Sequence, residues 1–176
     1  MNRIAKFSLI SEKRWIEDWI STFELTEMGT REKAKEEYTS LKLPLRATEG
    51  SAGYDFYTPF DIELKPGESV KIPTGIRCKM EPGYVLLIVP RSSIGFKYGL
   101  MLVNTIGVID SDYYGSDNEG HIFIKMINTN NEGKIVKLKK GDAVAQGLFT
   151  AYGITVDDEV TDKRNGGFGS TNEKQS

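Results

Sequence analysis

Two carboxylates, Asp110 and Asp112, directly follow the apolar run Ile106-Gly107-Val108-Ile109 in the stretch NTIGVIDSDYYG, residues 104–115. A carboxylate at the mouth of a hydrophobic strand is expected to be partly desolvated, which makes it more basic and suits it to taking a proton from water. The paired tyrosines can wall a sugar or a base, and Gly107 and Gly115 allow a ligand close to the backbone. The plainer reading is two aspartates flanking a turn. PRSSIGFKYG (90–99) combines the planar donor fork of Arg91 with the hydroxyls of Ser92 and Ser93, the makings of an anion seat; its plainer reading is a turn with a surface arginine. RNGGFGST (164–171) resembles a glycine-rich phosphate loop, yet it lacks the lysine and following helix of a Walker A site. It offers an arginine, a lone aromatic and two hydroxyls on a pliant backbone, or else it is a linker end. EGSAGYDFY (49–57) places Asp55 between aromatics, and GDAVAQ (141–146) places Asp142 at a turn and Gln146 at its end. Each of these alone reads as a turn entering a strand.

The scaffold for these residues has to fit in 176 positions, enough for one sizeable core, so a single domain spanning 1–176 is expected. Lys and Arg number 23 against 25 Asp and Glu, a net charge of −2 that removes any broad electrostatic case for nucleic acid. One cysteine and one histidine exclude a disulfide framework and make a Cys/His zinc site or a histidine-based hydrolytic triad poor readings. No apolar run is long enough to span a bilayer and no secretory h-region opens the chain, which points to the cytoplasm and away from a membrane.

Residues 3–10 are expected to open with a short strand. A helical block of about 11–40 follows: Trp15, Ile16, Trp19, Ile20 and Phe23 recur at helical spacing after a Ser11 cap, and Thr30 caps REKAKEEY. From about residue 43 short β-type runs take over: VKIPTGIRCK, YVLLIV, LMLVNTIGVI, HIFIKMI, KIVKL, AVAQGLF and YGITV. Turn chemistry separates them, as at Lys65-Pro66-Gly67 and Glu81-Pro82-Gly83. Many short strands at close spacing predict an all-β antiparallel barrel or jelly roll. The segment from about 157 to 176 is too poor in apolar residues to fix itself and is expected to be a mobile tail.

In order, AGYDFY, PRSSIGFKYG, NTIGVIDSDYYG, GDAVAQ and RNGGFGST resemble the five motifs of the homotrimeric dUTPases, over about residues 43–172. The resemblance implies a jelly-roll β-barrel with active sites shared between subunits, hydrolysing dUTP to dUMP and pyrophosphate with Mg2+, a step of nucleotide metabolism. By the same resemblance Asp110 is the general base that activates water for attack on the α-phosphorus. Asn104 and the backbone of Gly107, Val108, Ile109 and Asp110 match a hairpin that reads the uracil edge, and Tyr113 the aromatic under the deoxyribose. Arg91, Ser92 and Ser93 match the phosphate seat and Gln146 a residue near the α-phosphate. Asp55 is expected to reach magnesium through water, the ion being otherwise held by substrate phosphates, and Asp142 to hold Arg91 in place. Arg164, Phe168, Gly169, Ser170 and Thr171 match the tail that closes over uracil and the outer phosphates.

The helical block at 11–40 sits where the family runs almost directly from first strand to first motif, and the stretch SDNEGHIFIK lengthens the next hairpin, leaving the contact near Phe123 open. Asn172 stands in place of a closing glycine. Two other functions compete. One is dCTP deamination, which resembles this chain in fold and in its arginine-serine-serine loop. The other is an interaction module whose Trp15, Trp19 and Phe23 anchor a protein partner, against which stands the reading that this face packs on the barrel or a neighbouring subunit.

Overall fold

A computed structural model of the chain describes residues 2–162 and residue 164. The elements run β1 (Ala5–Leu9), α1 (Glu12–Phe23), α2 (Arg31–Tyr38), β2 (Leu45–Arg46), β3 (Tyr54–Tyr57), β4 (Ile62–Leu64) and β5 (Ser69–Pro73). They continue with β6 (Ile76–Met80), β7 (Tyr84–Pro90), α3 (Ser92–Tyr98), β8 (Leu100–Leu102), β9 (Gly107–Ile109), β10 (Phe123–Asn128), β11 (Val136–Leu138) and β12 (Ala143–Ala151). A single 3-10 turn, Ser111–Gly115, lies between β9 and β10. The described residues are thus strand-rich with three α-helices. None of these helices is long and apolar enough to cross a membrane.

All strand pairs recorded among the described residues are antiparallel. The largest sheet is ordered β2-β3-β12-β7-β9, a second β5-β10-β8, and two ladders are β1-β6 and β11-β4. β10 shows why: Ile124, Met126 and Asn128 alternate inward while Lys125 points out, the period of a half-buried strand. Ile72, Leu86, Ile88, Leu100, Ile122, Ile124 and Met126 form the centre of the core.

Several sequence boundaries shift. VKIPTGIRCK is two strands, β5 and β6, because Gly75 turns the chain at φ +71. LMLVNTIGVI is likewise divided: β8 pairs with β10 and β9 with β7, so the expected hairpin is a tight turn between two sheets. YGITV is not a strand: among the described residues the last ladder pair of β12 is Ala151 with Tyr84, followed by a Tyr152 amide bond to Gly83 O at 3.1 Å. PRSSIGFKYG closes as the helix α3 rather than as an open loop.

The helical block folds onto the strands. Ser11 accepts from the Arg14 amide and Thr30 from the Lys33 amide, capping both helices. Trp15 and Trp19 are fully buried, Phe23 stacks on Trp19 at 4.6 Å, and Phe60 meets both Trp19 and Phe23. The Trp15 indole N–H donates to Ala34 O at 2.7 Å, tying α1 to α2. Of the two readings of this face, packing on the barrel is the one the structure favours: Trp15 and Trp19 are buried and the partly buried Phe23 packs against the same core, and nothing supports a partner recruited there.

Candidate active site

Several of the residues that could do chemistry line two concavities that share no lining residue among those described, while Asp110, Asp112, Tyr113 and Arg164 gather at the end of β9 outside both linings. The first, about 460 Å3, is edged by β3, the end of β7, the start of α3 and β12, and is lined by Gly53, Asp55, Arg91, Ser92, Ser93 and Gln146. Registry explains the meeting: Gln146 of β12 lies opposite Asp55 on one side and Val89 on the other. Arg91 Nε contacts Asp55 Oδ1 at 2.9 Å, and the Gln146 amide donates to Pro90 O at 3.3 Å. A charge-assisted pair of this kind holds the guanidinium in one plane and leaves its remaining N–H groups for another anion. Ser92 and Ser93 are exposed beside it.

Asp142, expected to hold Arg91, does not. Its carboxylate accepts from the Lys139 amide at 2.8 Å and closes the turn before β12, and Asp55 is the partner of Arg91 instead. Gly53 also belongs to this site without having been expected there: a methyl on it would displace the Gln146 side-chain carbonyl. The signal was a glycine one residue before the Tyr54-Asp55 strand start.

The second concavity, about 350 Å3, is apolar and lies between β8, β9 and β10, lined among others by Ile88, Leu102, Asn104, Gly107, Ile109 and Phe123. Phe123 therefore faces the same space as Asn104 and Gly107, which answers the question the lengthened loop left open. Backbone shapes this cavity. Thr105 takes φ +62, rare for a β-branched residue and costing on the order of 1–3 kcal/mol, and the Ile106 amide donates back to Asn104 O at 2.6 Å. Gly107 opposes Ile88 of β7, and a methyl on it would sit 3.1 Å from Ile88 Cβ. Val108 points to solvent and Ile109 into the core.

At the end of β9, Asp110 and Asp112 flank the start of the 3-10 turn, and Arg164 bridges them: Nη2 to Asp110 Oδ2 at 2.5 Å and Nε to Asp112 Oδ1 at 2.9 Å. The Asp110 side chain is 50% exposed, so the expected desolvation is not provided by these residues; the apolar run buries Ile109, not the carboxylate after it. Tyr113 is buried, with the Arg164 guanidinium 5.7 Å from its ring centre. Its hydroxyl donates to His121 O at 2.8 Å and accepts from the Asn118 amide at 2.8 Å. Burial, the largest influence, pushes the phenol above its ordinary range and keeps it a donor. Asn118 and His121 carried no sequence signal, since neither lies in a motif. Phe168, Gly169, Ser170 and Thr171 lie outside the described residues.

Among the described residues no three His, Cys, Asp or Glu side chains gather as a metal cage. Asp55, already tied to Arg91, is the one carboxylate lining the polar concavity among the described residues. That donor set suits a magnesium ion held mostly by phosphate and water, with one outer contact from protein.

Residues 39–172 match the family model described as dUTPase. The deoxyuridine 5'-triphosphate nucleotidohydrolase of Lactococcus lactis subsp. lactis (strain IL1403) is 45% identical over 134 residues, covering 74% of this chain and 88% of the relative. The crystal structure of dUTPase from Streptococcus mutans is 40% identical with a TM-score of 0.58 over 66% of this chain and 94% of that one. A dUTPase variant from phage phi11 of S. aureus, solved for its coordination of a structural Mg(II) ion, shares the fold at 18% identity, with a TM-score of 0.60 over 91% of this chain and 98% of that one.

Proposed function

The chain belongs to the dUTPase family, and on that premise we propose that it hydrolyses dUTP to dUMP and pyrophosphate, with Asp110 as the base that deprotonates the attacking water. The observation that carries this reading is the convergence of Asp110, the Tyr113 ring and Arg164 at the end of β9, the strand that walls the apolar cavity with Gly107 and Ile109. An apolar slot with Asn104 on its lining can pair one base edge and leave the wrong one unsatisfied, which discriminates more strongly than shape. Tyr113 lies under the deoxyribose and leaves no room for a 2′-hydroxyl.

Arg91, Ser92 and Ser93 receive phosphate oxygens, with Gln146 near the α-phosphate. Magnesium, when bound, disperses triphosphate charge; Asp55 reaches it through water while orienting Arg91. The resemblance assigns contacts with the base and phosphates to Phe168, Gly169, Ser170 and Thr171, which lie outside the described residues, and Arg164 engages the outer phosphates. Its pairing with Asp110 fits this: incoming phosphates offer the guanidinium stronger partners, and its departure leaves the carboxylate free to take a proton.

The seat and the base cavity share no lining residue among those described, which supports, without requiring, a complete site assembled from more than one copy, as in a homotrimer with shared sites. We read 1–176 as one jelly-roll domain with residues 11–40 inserted. β1 supports this: it precedes the family match yet pairs with β6 inside it. A cytoplasmic location is proposed from the substrate.

A panel of nucleoside triphosphates with magnesium tests the reading. Pyrophosphate release is expected from dUTP, and Asp110→Asn is expected to cut turnover by about a thousandfold or more while still binding dUTP, because an amide cannot take the proton. Ammonia from dCTP, or wild-type turnover in Asp110→Asn, would overturn it.

A further inference from the structure

Besides its packing on Phe60, the helical block meets the loop 116–121, which lies between α1 and the turn that carries Tyr113. The Ser11 amide and hydroxyl both donate to the Glu119 carboxylate, at 2.8 and 2.6 Å. Glu119 itself stands at φ +59, a conformation its side chain does not favour and that the Ser11 clamp helps hold. About two turns further along α1, Asp18 Oδ2 lies 2.7 Å from His121 Nδ1. His121 is fully buried, Trp15 packs on its ring, and its Nε2 accepts the Gly75 amide at 2.9 Å. With Nε2 an acceptor, the ring proton must sit on Nδ1 and point at Asp18.

The same loop holds Tyr113 by its tip. The phenol donates to the His121 carbonyl, and Asn118, three residues before, donates to the phenol oxygen. One continuous chain of contacts therefore runs from Asp18 on α1, through the His121 ring and its backbone carbonyl, to the Tyr113 hydroxyl. Nothing in the proposed chemistry uses Asp18 or His121, and α1 lies before the residues that match the family model.

We propose that Asp18 and His121 are positioning residues for the sugar platform: the helix fixes the imidazole, the imidazole fixes the loop, and the loop fixes the height of the Tyr113 ring. This rests on the reading of Tyr113 as the surface that excludes a 2′-hydroxyl. The helical block then belongs to substrate selection, not merely to stability. Excluding one oxygen atom requires the ring to be placed within a fraction of an ångström, and a phenol held at its far end by a buried network is better fixed than one held by apolar packing alone.

The experiment compares kcat and KM for dUTP and UTP in wild type, Asp18→Ala, Asp18→Asn, Tyr113→Ala and the surface control Glu36→Gln, with the melting temperature of each. Asp18→Ala is expected to lower the preference for dUTP over UTP by about tenfold, chiefly through KM, with kcat for dUTP within about threefold of wild type. Asp18→Asn, which keeps an acceptor for Nδ1–H, is expected to recover most of the preference, and Glu36→Gln to match wild type. If Asp18→Ala lowers the melting temperature yet keeps the wild-type preference, the contact is structural only and the proposal is wrong. Should Asp18→Ala not fold, the preference of Asp18→Asn decides in the same way, an unchanged value counting against it. Unchanged preference in Tyr113→Ala would instead remove the sugar-platform reading, and the inference with it. Absence of dUTP hydrolysis in wild type would remove the enzyme itself.

Discussion

The two concavities are built by opposite means. The polar one is held by side chains: Arg91 against Asp55, Gln146 against Pro90 O. The apolar one is held by main chain: Thr105 strained at φ +62, Gly107 pressed on Ile88, and a short amide-to-carbonyl return at Asn104. The difference follows from what each is proposed to bind. Phosphate oxygens carry charge and tolerate approach from several directions, so a side-chain cationic fork serves them. A planar base presents fixed donors and acceptors on one edge, and only rigid backbone can match that edge without repeated entropic cost. The polar cavity is therefore open to repair by similar residues, and the apolar one is not.

The largest effect expected from breaking this contrast is at Arg91. Arg91→Ala removes the fork and leaves Asp55, only 16% exposed, facing the phosphates with its charge unpaired. A loss in kcat/KM on the order of a hundred- to a thousandfold is expected, comparable to deleting one donor from an oxyanion site. Arg91→Lys is expected to regain part of it by restoring charge without the fork. Calorimetry should show pyrophosphate binding weakened more than dUMP binding; the reverse order would mean that the seat is not where the outer phosphates go.

A smaller, mirror-image effect is expected at Gly107. Ile88 lies on β7 between β12 and β9, so it cannot retreat from an added methyl 3.1 Å from its Cβ without moving a central strand. Gly107→Ala should cost roughly 1–3 kcal/mol of stability as overpacking. It should lower dUMP affinity by about tenfold, with pyrophosphate affinity retained. If both ligands weaken together, the cavities are mechanically coupled and the contrast drawn above is too sharp.

The same contrast explains what could be read from residues alone. The polar cavity was legible because its parts are residue types: an arginine, two serines, a glutamine and an aspartate keep their chemistry wherever the chain puts them. Even there the partner of Arg91 was misassigned to Asp142, since only strand registry places Asp55 opposite Gln146. The apolar cavity was legible at Gly107 and Asn104 but not at Thr105, because a threonine gives no hint that its φ is positive. β8 and β9 read as one hairpin for the same reason: their pairing with β10 and β7 is a long-range choice. Asp18 and His121 were invisible as a pair, lying 103 residues apart in sequence. The amphipathic face of α1, by contrast, follows from local spacing, and Trp15 and Trp19 lie buried as a helical period requires.

The smallest effect concerns pH and separates the two cavities by a different route. His121 stacks at 4.1 Å on Phe123, which lines the apolar cavity, and no comparable histidine adjoins the polar one. Burial, before all else, holds His121 below its ordinary value of 6.5; Asp18 opposes that shift, while Lys71 and Arg14 add to it. The folded chain thus binds this proton less readily than the unfolded chain. Its contribution is complete above about pH 6.5 and falls as pH drops from there toward the depressed folded value, by at most about 1.4 kcal/mol per pH unit. Protonation also turns Nε2 into a second N–H facing the Gly75 amide, so the loop should loosen where it carries Tyr113. Between about pH 7.5 and 5.5, urea midpoints should fall in wild type and much less in His121→Gln. Over the same range amide exchange should rise at residues 118–123 before it rises at 143–147. Equal midpoints for the two proteins at the lower pH, relative to the higher, would place the acid sensitivity elsewhere, and simultaneous exchange in both segments would show that β10 and β12 open as one unit.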